Sequence, residues 1–414
     1  MKPDNSIELL DARKLQVQVY EDFDDLLVLQ PEWDAFMESV DAEIFLSFDW
    51  CRIWWKFYGK KRKLAVFVFR EGNNICALLP LFLDTIWLGP IPVRFVKLVG
   101  TDYLPVTISV PIKKDYVDKV IESLLKEIEP RWRWNLIHLG TLCGKYPLTD
   151  QLMHAFESTL GGSYCIESRS KNVQTYFQVE EDWEHQVTSL AQNARKNARK
   201  TYREIDKNKI ALNSALASEK DFLQMFNNFL DMHQQHWQQL GKPGHFGAWP
   251  SSINFHQEVG LTQLKLNRLR LIETKFDDEI VGYQYVYKFG NSYCWFLNAR
   301  ADNKISSRID FKWIMLRETI ENALKDRVSC IDAMYGKYDY KLLMGGEYFP
   351  VKDIFIYSRA LPNRIRIKFF RSLAWFLDVS YSKLWNARIG PRLGVKRKEF
   401  WDSWLRLNSF ADLQ

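Results

Sequence analysis

The fold is decided by residues 264–341, which read LKLNRLRLIETKFDDEIVGYQYVYKFGNSYCWFLNARADNKISSRIDFKWIMLRETIENALKDRVSCIDAMYGKYDYK. Apolar and polar residues alternate over 264–272 and again over 280–289, with a polar turn at 275–278 between them. This period of two predicts a β-hairpin. Residues 292–298 predict a third strand beside it.

The apolar spacing then changes from that of a strand to that of a helix. One helical face collects Ile309, Trp313, Leu316, Ile320, Ala323 and Leu324. Residues 328–333 predict a buried strand directly afterwards, and residues 335–341 predict a loop. The stretch therefore predicts three strands, a helix and a further strand.

The junction 299–308, in front of this helix, has two interpretations. Free backbone N–H groups at a helix N-terminus favour a bound anion, so Ser306, Ser307 and Arg308 are candidates for holding a phosphate. The alternative is a capping box, because Ser307 and Asp310 have the S-x-x-D spacing that satisfies helix-end donors internally.

The first half of the chain repeats the same order of elements. A predicted hairpin (64–70 and 75–83) is followed by two strands (94–99 and 107–110), a helix (116–129) and a further strand (135–139). Helices are predicted before this hairpin, from Pro31 and over 50–58. The order predicts two copies of one α/β unit.

A basic helix is predicted between the copies, over 189–209. It carries seven basic residues against two acidic ones. A thin packing stripe is predicted from Leu190, Ala194, Ala198, Thr201 and Ile205. Arg195, Arg199 and Arg203 lie on one face beside it, and Lys200 lies on the other. We interpret these four cations as a cradle for a phosphorylated ligand, since Arg presents a planar fork to phosphate. The alternative is a solvated helix face.

A second helix, predicted over 221–240, contains His233 and Trp237, which point the same way at i, i+4 spacing. The turn 241–244 then presents His245. No third ligand follows at a matching spacing, so no metal site is predicted. His233 and His245 are candidates for a base near neutral pH or for contacts to a substrate, with a structural role as the alternative.

Several motifs together resemble a known family. They are Trp50, Trp54, Trp55 and Gly59; Leu79-Pro80-Leu81; His233 and Trp237 followed by Gly241-Lys242-Pro243-Gly244-His245-Phe246; and Gly336 with Tyr340-Lys341. In this order the chain resembles GNAT acyltransferases, and within them the CelD/BcsL-like branch associated with cellulose biosynthesis. That branch is itself similar to the FemAB aminoacyltransferases.

The resemblance implies an α/β fold of tandem GNAT-like domains with mixed sheets and a basic helical C-terminal extension. The expected domains are 1–185, 186–360, which holds the catalytic cleft, and 361–414. In such a fold the loop 335–341 follows a strand that splays from its neighbour. Tyr340 and Lys341 then suit proton donation and oxyanion stabilisation, and Asp332, Asp339 or His245 could act as the base. The alternative is an aromatic surface loop.

The implied activity is transfer of an acetyl or other acyl group from coenzyme A to an amine or hydroxyl of a sugar or cell-surface polysaccharide precursor. Family members that use coenzyme A commonly carry Gln/Arg-x-x-Gly-x-Gly/Ala, where this chain has Ser307-Arg308-Ile309-Asp310. Two alternatives stay open. One is FemAB-like transfer from aminoacyl-tRNA, although no coiled-coil heptads interrupt the second copy. The other is a non-catalytic scaffold of a membrane polysaccharide synthase.

The charge is uneven along the chain. Of a net +6, residues from Leu361 onward contribute eleven Lys/Arg against four Asp/Glu, which leaves the body near neutral. A neutral body argues against nucleic acid as a partner, tRNA in the alternative excepted. Phe369, Phe370, Trp375 and Phe376 lie among the basic residues and predict a helix resting on anionic lipid. The alternative is a helix packed on the body.

The sequence contains no apolar run of about 18 residues, and its N-terminus has no signal-peptide pattern. Its six cysteines show no C-x-x-C spacing. We therefore expect a soluble cytoplasmic protein. If its C-terminal tail rests on lipid, the protein would sit peripherally at the inner face of the membrane.

Overall fold

The computed structural model describes residues 15–103, 106–145, 148–239, 244–247, 249–301, 305–395 and 402–407. Two parts of the sequence interpretation lie outside these ranges: the turn residues Gly241-Lys242-Pro243 and residues 302–304 of the junction 299–308.

The strands, in chain order, are β1 (Leu15–Tyr20), β2 (Lys63–Glu71), β3 (Asn74–Leu88), β4 (Ile91–Leu98), β5 (Leu136–Cys143), β6 (Tyr164–Gln178), β7 (Leu212–Leu216), β8 (Leu269–Phe276), β9 (Glu279–Phe289), β10 (Ser292–Arg300), β11 (Cys330–Tyr335) and β12 (Glu347–Ser358).

The α-helices are α1 (Gln30–Ser39), α2 (Phe48–Tyr58), α3 (Val117–Arg131), α4 (Leu148–Leu160), α5 (Trp183–Ser189), α6 (Gln192–Lys207), α7 (Phe222–Gln239), α8 (Ser252–Lys265), α9 (Phe311–Lys325), α10 (Asp339–Leu343), α11 (Leu361–Leu377), α12 (Gly390–Arg392) and α13 (Asp402–Leu407). Short 3-10 segments are Asp24–Leu29, Ile44–Leu46, Lys114–Tyr116 and Gly161–Ser163, and a π-helical segment, Asp378–Ile389, follows α11.

The chain forms two compact units built from interleaved segments. The first comprises Met1–Lys171, Pro350–Asp378 and Arg406–Gln414, and the second comprises Asn172–Phe349 and Val379–Leu405. The strand order is β1-β2-β3-β4-β5-β12 in the first unit and β7-β8-β9-β10-β11-β6 in the second. The domain limits expected from the sequence stay a prediction.

Strand pairing follows the same pattern in both units. The first four strands form an antiparallel meander, the fifth strand is parallel to the fourth, and the sixth is antiparallel to the fifth. The sixth strand comes from a distant part of the chain in each case, because β12 follows the second meander and β6 precedes it. The predicted tandem α/β architecture with mixed sheets is confirmed.

Helices cover both faces of the second unit's sheet. On one face α9 buries Trp313, Leu316 and Ile320 in a core that also contains Ala194 and Ala198 of α6. These alanines recur at i, i+4 spacing, which lets α6 pack closely although its other faces are charged.

The opposite face of this sheet is aromatic. Phe229 of α7 packs against Tyr285 and Tyr283 of β9, with ring centroids 5.5 and 6.4 Å apart. Because alternate residues of a strand point to opposite faces, the β9 tyrosines line this side, while Gln284 meets α9 on the other. Among the described residues, no helix has the length and apolarity that crossing a membrane requires.

The structure confirms most predicted elements and corrects three of them. Residues 264–265 end α8 instead of starting a strand, because the short alternation Leu-Lys-Leu also fits the last turn of a helix. Residues 107–110 contribute an isolated bridge, Ile108 to Leu142, and not a strand. The predicted loop 335–341 contains the start of α10. The sequence patterns do not predict α4, α5, α8, β6, β7 or β12.

Candidate active site

Strands β10 and β11 part from each other in the second unit. They pair in parallel over three positions, from Ser292 with Cys330 to Cys294 with Asp332. Beyond this point β10 continues along β9 to Arg300, whereas β11 follows β6 to Tyr335. The pairing of β11 with β6 is irregular between Asp332 and Tyr335. Beyond the third position the backbone groups of β10 and β11 therefore no longer pair with each other.

Lys341 reaches the end of β11 from the short helix α10. Its side chain is 4% exposed, and Nζ donates a hydrogen bond to the Met334 carbonyl oxygen at 2.9 Å. Met334 has a φ of +66°, which turns its peptide out of the regular strand. Burial lowers the pKa of Lys341 to about 8, against the opposing charge of Asp332. Lys341 therefore stays largely protonated at neutral pH but close to titration.

Asp332 is buried at the last position where β10 and β11 pair. Its Oδ1 accepts a hydrogen bond from Gln174 Nε2 at 2.5 Å and another from the Met334 backbone N–H at 2.7 Å. Gly336 follows with a φ of +117°, where a Cβ would lie 2.5 Å from the Tyr338 ring. Glycine is required at this turn, which brings α10 back toward the strand.

Tyr340 lies beside Lys341 but faces outward, with 46% of its surface exposed. Burial of its hydroxyl and the neighbouring Tyr338 raise its pKa, while the charge of Arg300 acts in the opposite direction. Its phenol is therefore protonated at neutral pH. Arg300 ends β10, so this interaction connects the end of β10 with α10.

The predicted histidines lie in an aromatic cluster between α7 and β10. The His233 Nδ1 atom is 3.0 Å from the Asn298 carbonyl oxygen. The His233 ring centroid is 6.0 Å from that of Trp237 and 6.1 Å from that of His245. The predicted i, i+4 alignment of His233 and Trp237 is confirmed. A third histidine, His256 of α8, is fully buried in the same cluster.

All three imidazoles have depressed pKa values. Burial lowers the pKa of His233 to about 4 and those of His245 and His256 to about 3, with the neighbouring histidines adding to the effect. The charged form would have to be solvated inside an aromatic wall, which is costly. These side chains are neutral at physiological pH.

The segment before α9 is exposed at Ser306, Ser307 and Arg308. The capping-box interpretation is wrong, because α9 begins at Phe311 and Asp310 itself occupies the N-cap without a side-chain cap bond. The Asp310 backbone N–H donates to Thr201 Oγ1 of α6 at 3.3 Å. The Asp310 carboxylate pairs with Lys312. The helix N-terminus therefore carries a negative side chain, which opposes a phosphate at that position.

Helix α6 carries exposed positive charge, but on the faces that point away from this junction. Thr201, which contacts Asp310, lies on the buried face of α6, whereas Lys200 and Arg203 are exposed. Arg199 is also exposed, with a long 3.8 Å contact to Glu184. Arg195 is half-buried and donates to the Leu190 carbonyl at 3.0 Å. The predicted packing stripe on α6 is confirmed for Ala194, Ala198, Thr201 and Ile205, whereas Leu190 follows the end of α5 because the predicted helix 189–209 begins only at Gln192.

A cavity of about 600 Å³ opens between α7 and the ends of β9 and β10. Its lining mixes polar and apolar surface in similar amounts and consists of Asn228, Asp231, Met232, Gln235, His236, Gln239, Ile280, Tyr283, Arg300 and Ala301. Arg300 thus contributes both to this cavity and to the electrostatic surroundings of Tyr340. Over the described ranges, no group of three His, Cys, Asp or Glu side chains is arranged to hold a metal ion.

The candidate site includes residues that the sequence did not indicate. Gln174 comes from β6, a strand that was not predicted, and His256 lies on a helix that was not predicted. The Met334 carbonyl is presented by a left-handed backbone conformation, for which a methionine gives no signal in the sequence. Helical spacing could have found Asp231 and Gln235, which lie on the exposed face of α7.

The chain is similar to known proteins in sequence over one segment and in fold more widely. Residues 192–342 match the family model described as acetyltransferase (GNAT) domain. No curated protein matches the sequence. The crystal structure of FemX is similar over 80% of this chain and 96% of that chain, with a TM-score of 0.57 and 9% identity. At this identity the likeness shows the fold alone.

Two further solved structures are similar with lower scores. L-PGS from Bacillus licheniformis has a TM-score of 0.46 and 11% identity over 78% of this chain and 90% of that chain. A tandem GNAT protein from the clavulanic acid biosynthesis pathway has a TM-score of 0.41 and 9% identity over 83% of this chain and 98% of that chain. The matched segment 192–342 includes β10, β11 and Lys341. By its match to the family model, the segment 192–342 is similar to an acetyltransferase (GNAT) domain, and the protein is an acyltransferase enzyme.

Proposed function

We propose that the second unit transfers an acyl group, from coenzyme A as co-substrate, to an amine or hydroxyl of a sugar or cell-surface polysaccharide precursor. One observation carries the proposal. Within the segment that matches an acetyltransferase domain, a buried lysine with a depressed pKa lies where two parallel strands part. The CelD/BcsL-like resemblance supports the acceptor class and a cytoplasmic site of action.

The side chains at this point suit direct acyl transfer. The acceptor nitrogen or oxygen attacks the thioester carbonyl carbon, so that a C–N or C–O bond forms and the C–S bond breaks. The Lys341 ammonium stabilises the negative charge on the carbonyl oxygen. Asp332 takes the proton from the acceptor, and Tyr340 gives a proton to the leaving thiolate. Proton exchange with solvent then deprotonates Asp332 and reprotonates Tyr340.

Asp332 is preferred to His245 as the base because of its position. Asp332 lies on β11 next to the Met334 peptide that Lys341 contacts. With a pKa of about 3, His245 is no stronger a base than a carboxylate. His233, His245 and Trp237 form the aromatic wall along which we expect a substrate to lie. Asp339 is exposed on α10 and is not assigned a role.

The donor's phosphates are expected on α6 and not at the N-terminus of α9. Asp310 opposes a phosphate there, and Ser306 and Ser307 offer only exposed hydroxyls. The exposed cations Arg199, Lys200 and Arg203 of α6 would provide the charge that a diphosphate needs, and Arg308 is a further exposed cation in the segment before α9. The residues present therefore fit coenzyme A in charge, without the glycine-rich loop. Arg195 supports this group from its half-buried position.

The acceptor is expected in the cavity beside α7. Its amide side chains, Asn228, Gln235 and Gln239, both donate and accept hydrogen bonds, as a polyhydroxylated ligand requires. Asp231 can bind the ammonium form of an amino sugar. Replacing Asp231 with Asn should raise the KM for the acceptor several-fold and leave the KM for the donor unchanged. An equal rise in both KM values would argue against this assignment.

A second candidate function is transfer from aminoacyl-tRNA, which the exposed cations of α6 favour because they exceed the needs of one diphosphate. Both donors carry phosphate, so the cations of α6 alone do not distinguish them. Direct binding of each donor does. Calorimetric titrations with acetyl-coenzyme A, a long-chain acyl-coenzyme A and an aminoacyl-tRNA would use the wild type, Arg199→Gln/Arg203→Gln and the exposed control Arg133→Gln.

Saturable acyl-coenzyme A binding that the double variant weakens about tenfold, with the control unchanged, would support the first proposal. If the protein binds only aminoacyl-tRNA, the donor is aminoacyl-tRNA and not acyl-coenzyme A. Absence of binding by any donor would overturn transferase chemistry at this site in favour of the scaffold role.

A further inference from the structure

Helix α11 is anchored to the first unit by one face. Ile367, Phe370 and Ala374 are buried in a core with strand residues that include Phe95, whose ring centroid is 5.9 Å from that of Phe370. The Asn363 side-chain amide donates to the Asn135 carbonyl at 3.1 Å and holds the start of the helix. The orientation of α11 about its own axis is therefore fixed.

The opposite face of α11 is apolar and open to solvent. Leu361 is 67% exposed, Ile365 58%, Phe369 55% and Phe376 58%. At 3.6 residues per turn these four side chains lie within about 80° of one another around the helix. Trp375, 43% exposed, lies near their edge. Monomeric soluble proteins seldom leave such a continuous apolar stripe uncovered.

Basic residues border this stripe, and α11 contains no acidic residue. Arg364 and Lys368 are exposed on the side where Trp375 lies, and Arg366 is half-buried on the other side. Arg371 is different, because it pairs with Glu167 at 2.9 Å within the unit. Three cations are therefore left beside the apolar face without an acidic residue on their own helix to offset them.

We propose that this face of α11 docks on an anionic lipid bilayer. Leu361, Ile365, Phe369 and Phe376 enter the boundary between headgroups and acyl chains, and Arg364 and Lys368 contact lipid phosphates. The same face in a symmetric dimer would bring the Arg364 and Lys368 side chains of two copies together, which like charges oppose. The chemistry of the face thus favours lipid over a second copy, whatever the acyl donor of the second unit is.

The test uses the full-length protein and large unilamellar vesicles of phosphatidylcholine, with or without 30 mol% phosphatidylglycerol, in co-sedimentation at about 0.1 M salt. The apolar variant is Phe369→Ser/Phe376→Ser, and the charge variant is Arg364→Glu/Lys368→Glu. The matched control is Leu27→Ser/Val28→Ser, which removes exposed apolar side chains from a 3-10 segment of the same unit. Thermal unfolding of each variant checks that the fold is kept.

We expect the wild type to bind the anionic vesicles at least tenfold more strongly than the neutral ones. The apolar variant should lose at least tenfold in partitioning to anionic vesicles. The charge variant should no longer distinguish the two compositions, and the control should bind like the wild type. Equal binding by all four proteins would overturn the proposal. So would a concentration-dependent dimer that the apolar variant abolishes, because the face would then bind a second copy.

Discussion

The Lys341 ammonium and the Met334 carbonyl oxygen lie 2.9 Å apart, and this hydrogen bond fixes the position of the charge at the open end of β11. The left-handed peptide of Met334 and the turn at Gly336 bring the two groups together although seven positions separate them. A lysine held in this way is pre-organised, since its rotamer entropy is already lost before a substrate binds.

Replacing Lys341 with Met should therefore reduce kcat by about 10²-fold or more, because a methionine keeps much of the buried volume but provides no charge for the oxyanion. Steady-state rates with a thiol-release assay would measure the effect. The matched control is Lys337→Met, an exposed lysine four positions away. Similar losses in both variants would mean that Lys341 has no special part in the reaction.

The pKa of Lys341 leads to a prediction about pH. With a pKa of about 8, the ammonium is present below this value and is lost as the pH rises through it. The rate should accordingly fall by up to tenfold per pH unit above about 8. Profiles of kcat/KM from pH 6 to 10 would show this limb in the wild type, and the residual activity of Lys341→Met should lack it. If the fall in rate above pH 8 persists in Lys341→Met, the titration of another group causes it.

The sequence predicted the architecture well because periodicity reports which faces are buried. The meander of β8, β9 and β10, the helix α9 and the small-residue stripe of α6 follow from spacing alone. Helix α8 and strand β6 were missed because their patterns are short or mixed. Residues such as Leu264 and Lys265 fit a strand and a helix end equally well.

The site was predicted less completely because its geometry depends on contacts that are distant in sequence. Lys341, Asp332 and Tyr340 stay predicted site residues, and the structure places Lys341 and Asp332 in hydrogen bonds to the two backbone groups of Met334. The partner Gln174 is 158 residues from Asp332. Strand pairing brings them together, and no local pattern reports it.

Glu318 of α9 provides a test of stability. It is 6% exposed and accepts hydrogen bonds from Thr274 and Gln284, yet burial, with a contribution from Glu321, raises its pKa to about 7. The folded protein holds this proton to higher pH than the unfolded chain does. Stability should therefore fall by about 3 kcal/mol as the pH rises from about 4.5 to about 7.

Urea unfolding of the wild type and Glu318→Gln between pH 5 and 8 would measure this difference. The free energy of unfolding of Glu318→Gln should not show this decline. The variant should therefore become more stable relative to the wild type as the pH rises. Parallel curves for the two proteins would show that Glu318 does not titrate in this range.

His256 should have the opposite dependence on pH. Its imidazole is fully buried among the rings of Phe246, Trp249 and Phe296, and burial lowers its pKa to about 3. The unfolded chain binds a proton near pH 6.5, which the folded protein does not. Stability is therefore lost as the pH falls below 6.5, by about 2 kcal/mol at pH 5.

A phenylalanine suits this aromatic site and cannot be protonated, so His256→Phe should remove this part of the acid sensitivity while His233 and His245 retain theirs. Unfolding free energies at pH 7 and pH 5 would measure the change, with the exposed His154→Gln as the control. The wild type and His154→Gln should each lose about 2 kcal/mol more than His256→Phe between the two pH values. Equal losses in all three proteins would mean that His256 is solvated in its charged form and that the aromatic wall opens in acid.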